Sequence, residues 1–290
     1  MEDNKMHQAG GAPLGQEHGG AGGGGLMGHG MMDLMGHHHQ GEVMLGGGGH
    51  HEDDLLAPGQ GHHHQQIHTY EADYQLYAMG FANKNEHRFR LAAVSKIEAL
   101  ENYVEVLEKR NDGIVRLSKT PHPLPASKLE WIPDYHNQNP DLLATTADYL
   151  RLWECDPDTS ALQLKHLFSV KSAEGHGGGQ SALTAFDWNR VTLNLIGTAA
   201  TDTTCTIWDI DAMAVKTQLI AHDMDVFDFA WAQSDVQFAT ASADGSVRLF
   251  DLRDLGISTV MYESPGNVPM LRAVWNRQDY HYLAVITMDS

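Results

Sequence analysis

Gln237-Phe238-Ala239-Thr240-Ala241-Ser242-Ala243-Asp244-Gly245-Ser246-Val247-Arg248-Leu249-Phe250 is the stretch that decides the fold. Two short apolar strands flank Asp244-Gly245, and Asp-Gly between strands signals a hairpin, because both turn positions favour positive φ. Asp141 to Trp153 and Leu195 to Trp208 are variations on the same phrase, each with an Asp five or six residues before an aromatic. A second aromatic, Trp131, Trp188 or Trp231, stands about twenty residues ahead of the first. The phrase recurs every 42 to 57 residues. Self-similarity at this period marks a repeat architecture, whose usual work is to bind other proteins.

The text around the phrase supplies more strands. Val226 to Trp231 precedes it and Ser246 to Leu252 forms its second arm, so each repeat holds three or four strands, one blade of a β-propeller. Leu183 to Trp188 matches Val226 to Trp231, and a weaker copy opens at Leu76 to Phe81 with its third strand from Asn102 to Leu107. A last copy opens at Leu271 to Trp275, and Met288-Asp289-Ser290 falls in its hairpin turn. The expected fold class is all-β, with repeats near 76–110, 122–156, 181–211, 222–253 and 268–290 in a propeller spanning 69–290. That is about four and a half blades.

Composition divides the chain. Residues 1–68 are dominated by Gly, His and Met, with Lys5 as the one Lys or Arg. Such a segment buries too little apolar surface to offset an ordering cost of roughly 1–2 kcal/mol per residue, and is expected to be a disordered tail. The formal net charge is −19 and Lys109-Arg110 is the longest basic run, so no footprint for direct nucleic-acid binding exists. Cys155 and Cys205 are too few for a secreted disulfide framework. No apolar stretch is long enough to span a membrane, and no signal peptide opens the chain. An intracellular protein is expected.

The blade lengths and Trp208-Asp209 resemble the WD40 family, which carries a His–Ser/Thr–Asp–Trp hydrogen-bond tetrad in complete blades and closes a ring of about seven blades. The resemblance implies a full tetrad of His122, Thr146, Asp148 and Trp153. It implies a second of His222, Ser242 and Asp244, shortened because Phe250 has no N–H to donate. In the blade between them it implies Asp202 and Trp208, with Ala200 at the hydroxyl position. The rest of the ring would lie beyond Ser290, so a C-terminally truncated chain is expected. Longer strings, among them Thr217 to Asp223, Tyr262 to Pro265 and Trp275 to Asp279, resemble the plant group of Transparent Testa Glabra, anthocyanin-regulatory and light-regulated WD proteins. The animal counterpart of that group is a kinase scaffold and cullin-ligase-associated factor.

Three chemical readings fail on their own residues. The tracts His37-His38-His39, His50-His51 and His62-His63-His64 lack the Cys partners and fixed spacing of a structural zinc site, so weak metal binding at most is expected. Gly175 to Gly179 is not followed by Gly-Lys-Ser/Thr, which excludes a P-loop. His122/Asp148 and His222/Asp244 look like acid–base couples, but their repetition in separate blades fits buried structural pairs better. No catalytic, cofactor or metal residues are therefore assigned, and no enzyme is expected.

Asp251 and Arg253 resemble the end of the Trp-Asp-x-Arg box by which WD proteins dock on the damaged-DNA-binding adaptor of cullin ligases, with Phe250 in place of Trp; the alternative is that the two only pair with each other at a strand end. The resemblance thus implies a non-catalytic scaffold in the nucleus and cytoplasm with protein partners alone. Those partners would be MYB, basic-helix-loop-helix or clock factors, with a cullin-ligase substrate receptor or a kinase scaffold as alternatives. Nucleic acid, membrane and small molecules are not expected as direct partners.

Overall fold

A computed structural model describes residues 42–47, 66–97, 101–170 and 181–289. The chain divides into two units, Met1–His38 and His39–Ser290, and every described residue lies in the second. Strand β1 (Glu42–Gly47) pairs antiparallel with β2 (Gln66–Glu71). These two strands are the described part of the chain up to residue 71. The other tail residues, the histidine tracts and Gly175 to Gly179 lie outside the described residues.

The blades follow in chain order. The first is β3 (Leu76–Phe81), β4 (Arg90–Ser95), β5 (Asn102–Arg110) and β6 (Gly113–His122). The second is β7 (Lys128–Trp131), β8 (Leu142–Thr146), β9 (Leu150–Cys155) and β10 (Leu162–Phe168). The third is β11 (Leu183–Trp188), β12 (Leu195–Ala200), β13 (Thr204–Asp209) and β14 (Ala214–Ile220). The fourth is β15 (Val226–Trp231), β16 (Gln237–Ser242), β17 (Ser246–Asp251) and β18 (Ser258–Glu263). A two-stranded sheet, β19 (Met270–Trp275) and β20 (Leu283–Thr287), ends the series. Every sheet is antiparallel with sequential strand order, so the described chain holds four blades and half of a fifth, a partial WD40-type propeller. Among the described residues no helix is long and apolar enough to cross a membrane.

The core lies between blades. Leu142, Leu152 and Phe168 of the second blade pack on Phe186, Trp188 and Ile196 of the third. Leu195 and Ile207 of the third pack on Phe229, Phe238 and Phe250 of the fourth. Second strands are covered on both faces, which is why β12 reads Leu-Ile-Gly-Thr-Ala-Ala, without alternation. Gly197 is required there, because a Cβ would sit 2.1 Å from the Phe229 ring.

The hairpin turns differ from expectation in one respect. At Asp244-Gly245 only Gly245 has positive φ, at 82°, and its N–H donates to the Ser242 carbonyl at 3.2 Å. The loop is longer than a two-residue turn, so a single left-handed residue suffices to reverse the chain. In the third blade Thr203 occupies the equivalent place with φ 72°, a strained conformation for a β-branched residue.

Candidate functional site

Parts of the expected tetrads are joined as hydrogen-bonded relays, through other hydroxyls than expected. In the second blade Trp153 Nε1 donates to Thr145 Oγ1 at 2.9 Å, and Thr145 Oγ1 lies 3.1 Å from His122 Nε2. His122 Nδ1 bonds the Leu124 carbonyl. A carbonyl only accepts, so Nδ1 carries the proton and Nε2 accepts from Thr145. Burial pushes the His122 imidazole down to about 4, so the neutral ring that this relay needs is the stable form.

The hydroxyl is thus Thr145, not Thr146. Side chains alternate across a strand, so Thr146 faces the other way and meets Ser127 Oγ at 2.9 Å. Asp148 is not bonded to His122 either. It holds Arg151 NH1 at 2.7 Å, because the hairpin beyond the relay threonine is two residues shorter, Thr145 pairing with Arg151 where Thr240 pairs with Arg248.

In the fourth blade His222 Nε2 lies 2.7 Å from Thr240 Oγ1 and its Nδ1 lies 2.9 Å from Asp244 Oδ2. Ser242, which the family resemblance implied for this role, stands two residues further along β16 and bonds the Asp225 carbonyl at 2.9 Å. Burial pushes His222 down, outweighing its Asp244 partner. Burial pushes Asp244 up, but hydrogen bonds from Ser246 and His222 outweigh it and hold the carboxyl below its ordinary value. In the third blade Trp208 Nε1 donates to Thr198 Oγ1 at 2.9 Å, so the blade has its hydroxyl and Ala200 is not the relevant position. Asp202 caps its own turn through Thr204 N and Oγ1. All three threonines occupy one ladder position, opposite Arg151, Thr206 and Arg248.

The second aromatic of each repeat has a role that spacing did not reveal. Trp131, Trp231 and Trp275 each donate Nε1–H to a carbonyl in the first strand of the preceding blade, at Gly80, Asp187 and Ala230, over 3.1–3.2 Å. Acidic side chains reach the same way: Asp187 accepts the Trp231 N–H at 2.8 Å and Asp228 accepts the Ala273 N–H at 3.0 Å. Trp188 departs from the pattern and donates to Leu193 in its own turn at 2.7 Å. There an ion pair crosses between the second and third blades, Arg190 NH2 to Glu130 Oε1 at 2.8 Å. Burial and the like charge of Asp187 push the Glu130 carboxyl well above the usual carboxylate range, despite Arg190.

Asp251 closes β17, and Arg253 folds back on it. Arg253 Nε and NH2 donate to the two carboxylate oxygens at 2.9 and 2.6 Å. These bonds hold Asp251 far below the usual carboxylate range. The Arg253 side chain is 72% exposed, so the guanidinium faces solvent in a fixed orientation. Asp156 and Asp211 take the place of Arg253 in the second and third blades, which leaves those strand ends acidic. The first blade has a related pair at Glu108 and Arg110, joined by one bond of 2.8 Å, which the aromatic-based motif did not flag because Leu107 stands at the aromatic position. Phe250 is buried and stacks on Phe238 at 5.4 Å, filling the place of the indole without its N–H.

Among the described residues no group of three or more His, Cys, Asp or Glu could hold a metal ion. Burial pushes the Cys155 thiol up to about 11 and that of Cys205 higher still, so neither is poised as a thiolate.

Comparison with known proteins agrees with the architecture. Residues 214–251 match the model of the WD domain, G-beta repeat. Over 228 residues the chain is 43% identical to the DDB1- and CUL4-associated factor 7 homolog of Dictyostelium discoideum, covering 78% of this chain and 69% of that protein. It is 40% identical over 158 residues to a WD repeat-containing protein of Saccharomyces cerevisiae, covering 49% of this chain and 30% of the relative. An uncharacterized WD repeat-containing protein of Schizosaccharomyces pombe is 35% identical over 204 residues, 67% of this chain and 47% of the relative. The chain thus spans less than half the length of its two yeast relatives.

Proposed function

The chain belongs to the WD40-repeat family of the DDB1- and CUL4-associated factor 7 homolog, and we propose that it is a non-catalytic scaffold that docks on DDB1 and presents a second protein to a CUL4 ligase. The observation that carries this reading is the exposed Arg253 guanidinium, clamped by Asp251 at a strand end in a chain 43% identical to a protein named for that association. A clamped guanidinium loses little freedom on binding and offers its remaining donors to backbone carbonyls or carboxylates across an interface. Holding two proteins on one rigid propeller raises the effective concentration of each for the other.

A second reading, assembly of MYB, basic-helix-loop-helix or clock regulators in the nucleus and cytoplasm, rests on the strings shared with the Transparent Testa Glabra group. The two readings differ in the proteins that co-purify with the chain. Affinity purification of the wild-type chain, R253A and R110A decides between them. Docking through Arg253 predicts that DDB1 is recovered with wild type and with R110A, which removes an arginine at the equivalent place in the first blade, and is lost with R253A. Recovery of transcription factors with no DDB1 in any of the three would replace the ligase reading with the regulatory one.

A further inference from the structure

Each four-stranded blade ends in an outer strand whose far edge pairs with no other strand among the described residues: β6, β10, β14 and β18. An open edge offers unpaired N–H and C=O groups to another chain, and lysine, proline and bulges are the usual guards against that. All four strands bulge against the third strand of their blade, with Leu117, Lys165, Lys216 and Met261 as the extra residue. The other guards are unevenly spread. β6 adds Arg116, Lys119 and Pro121, while β10 and β14 have their lysine at the bulge itself. β18, Ser-Thr-Val-Met-Tyr-Glu, has no Lys, Arg or Pro, and Glu263 at its end is its one charged residue. Val260, Met261 and Tyr262 on it, and Ile257 just before it, are 42–68% exposed.

We infer that β18 is the seat of a second copy of this chain, the two β18 strands lying antiparallel, side by side, about a twofold axis. Such a contact sets one patch against the same patch. At β10 or β14 that brings lysine towards lysine. At β18 it brings Val260, Met261 and Tyr262 together and keeps the two Glu263 carboxylates at opposite ends of the pair. In a chain of net charge −19 two copies repel in general, and a strand with a single carboxylate is a place where that repulsion is weak. One six-residue strand is smaller than the roughly 800 Å² per partner of a standard interface, so the dimer forms and dissociates with concentration. Arg253 lies in the loop before β18 and not on it, so this contact and docking through Arg253 fail independently.

Sedimentation velocity of the full chain is the test. The wild-type mass should rise from that of one chain towards that of two across the micromolar range, and more so as salt screens the general repulsion. M261K puts at this bulge the residue type that the bulges of β10 and β14 carry, so the blade should fold as before, with an unchanged thermal midpoint. It should weaken association by about tenfold or more, the scale of like charges brought together. I286K, at an exposed position of β20, should associate like wild type. Cys155 and Cys205 are buried, so V260C adds an accessible thiol, and mild oxidation should link two copies through it. L164C, exposed on β10, should stay unlinked. A wild-type chain monomeric at every concentration, M261K associating like wild type, loss of association in I286K alone, or linkage of L164C as readily as V260C would each overturn the assignment. So would loss of DDB1 recovery in M261K from a monomeric wild type, which would seat DDB1 on this strand instead.

Discussion

Thr145→Val probes the relay that ties the first blade to the second. Valine keeps the shape and strand preference of threonine and deletes one hydroxyl. That hydroxyl accepts the Trp153 indole N–H at 2.9 Å and stands 3.1 Å from His122 Nε2, and all three side chains are buried. The variant therefore leaves an indole donor and an imidazole lone pair without partners. At about 1–3 kcal/mol for each of the two buried unsatisfied groups the expected loss is about 2–6 kcal/mol. Thr146→Val is the matched control, since Thr146 is equally buried. It removes one contact from Ser127 Oγ, which keeps the Thr146 and Leu183 carbonyls within 3.0 Å, so its cost should be about 1 kcal/mol. Urea unfolding followed by tryptophan fluorescence measures both. A loss in Thr146→Val equal to or greater than that in Thr145→Val would refute the relay as drawn.

Three further outcomes follow from single positions. The His122 pKa is lower in the folded chain, about 4, than its ordinary 6.5, so the unfolded chain takes up the proton first as pH falls. The stability from keeping this ring neutral is complete above pH 6.5 and lost on descending to about 4, about 3 kcal/mol in all. Urea midpoints of wild type should drop across that window more than those of His122→Gln, and parallel curves would refute the assignment. Gly197→Ala places a methyl 2.1 Å from the Phe229 ring, so the thermal midpoint should fall by the equivalent of about 1–3 kcal/mol. Phe229→Leu in the same chain should recover part of that loss; no loss in Gly197→Ala would mean that the two blades are not packed at this point. Thr203→Gly relieves a positive φ of 72° and should stabilise the chain by about 1 kcal/mol, where a lower thermal midpoint would contradict the strain.

Strand positions were legible because each aromatic and each Asp punctuates an apolar run. Leu183–Trp188, Val226–Trp231 and Leu76–Phe81 stand where the repeated phrase put them. The relay hydroxyls were not, for a geometric reason. Matching the family tetrad selects Thr146 and Ser242, whereas the indole and imidazole select the residue opposite Arg151 or Arg248 in the ladder, and that register is a pairing property. The staples of Trp131, Trp231 and Trp275 end on backbone carbonyls of another blade, which carry no side-chain signature. Glu130 and Arg190 are 60 residues apart in the chain and become neighbours only once blades two and three are packed. Thr203 was invisible for the opposite reason: nothing in a threonine announces a left-handed backbone.

Docking on DDB1 through Arg253 is the central claim, and calorimetric titration of purified DDB1 into the purified full chain and into R253A tests it most directly. The account predicts a saturable heat with the wild-type chain and none with R253A, both chains unfolding at the same temperature because the Arg253 side chain is 72% exposed. Equal binding by the two, or no binding by either, would contradict it.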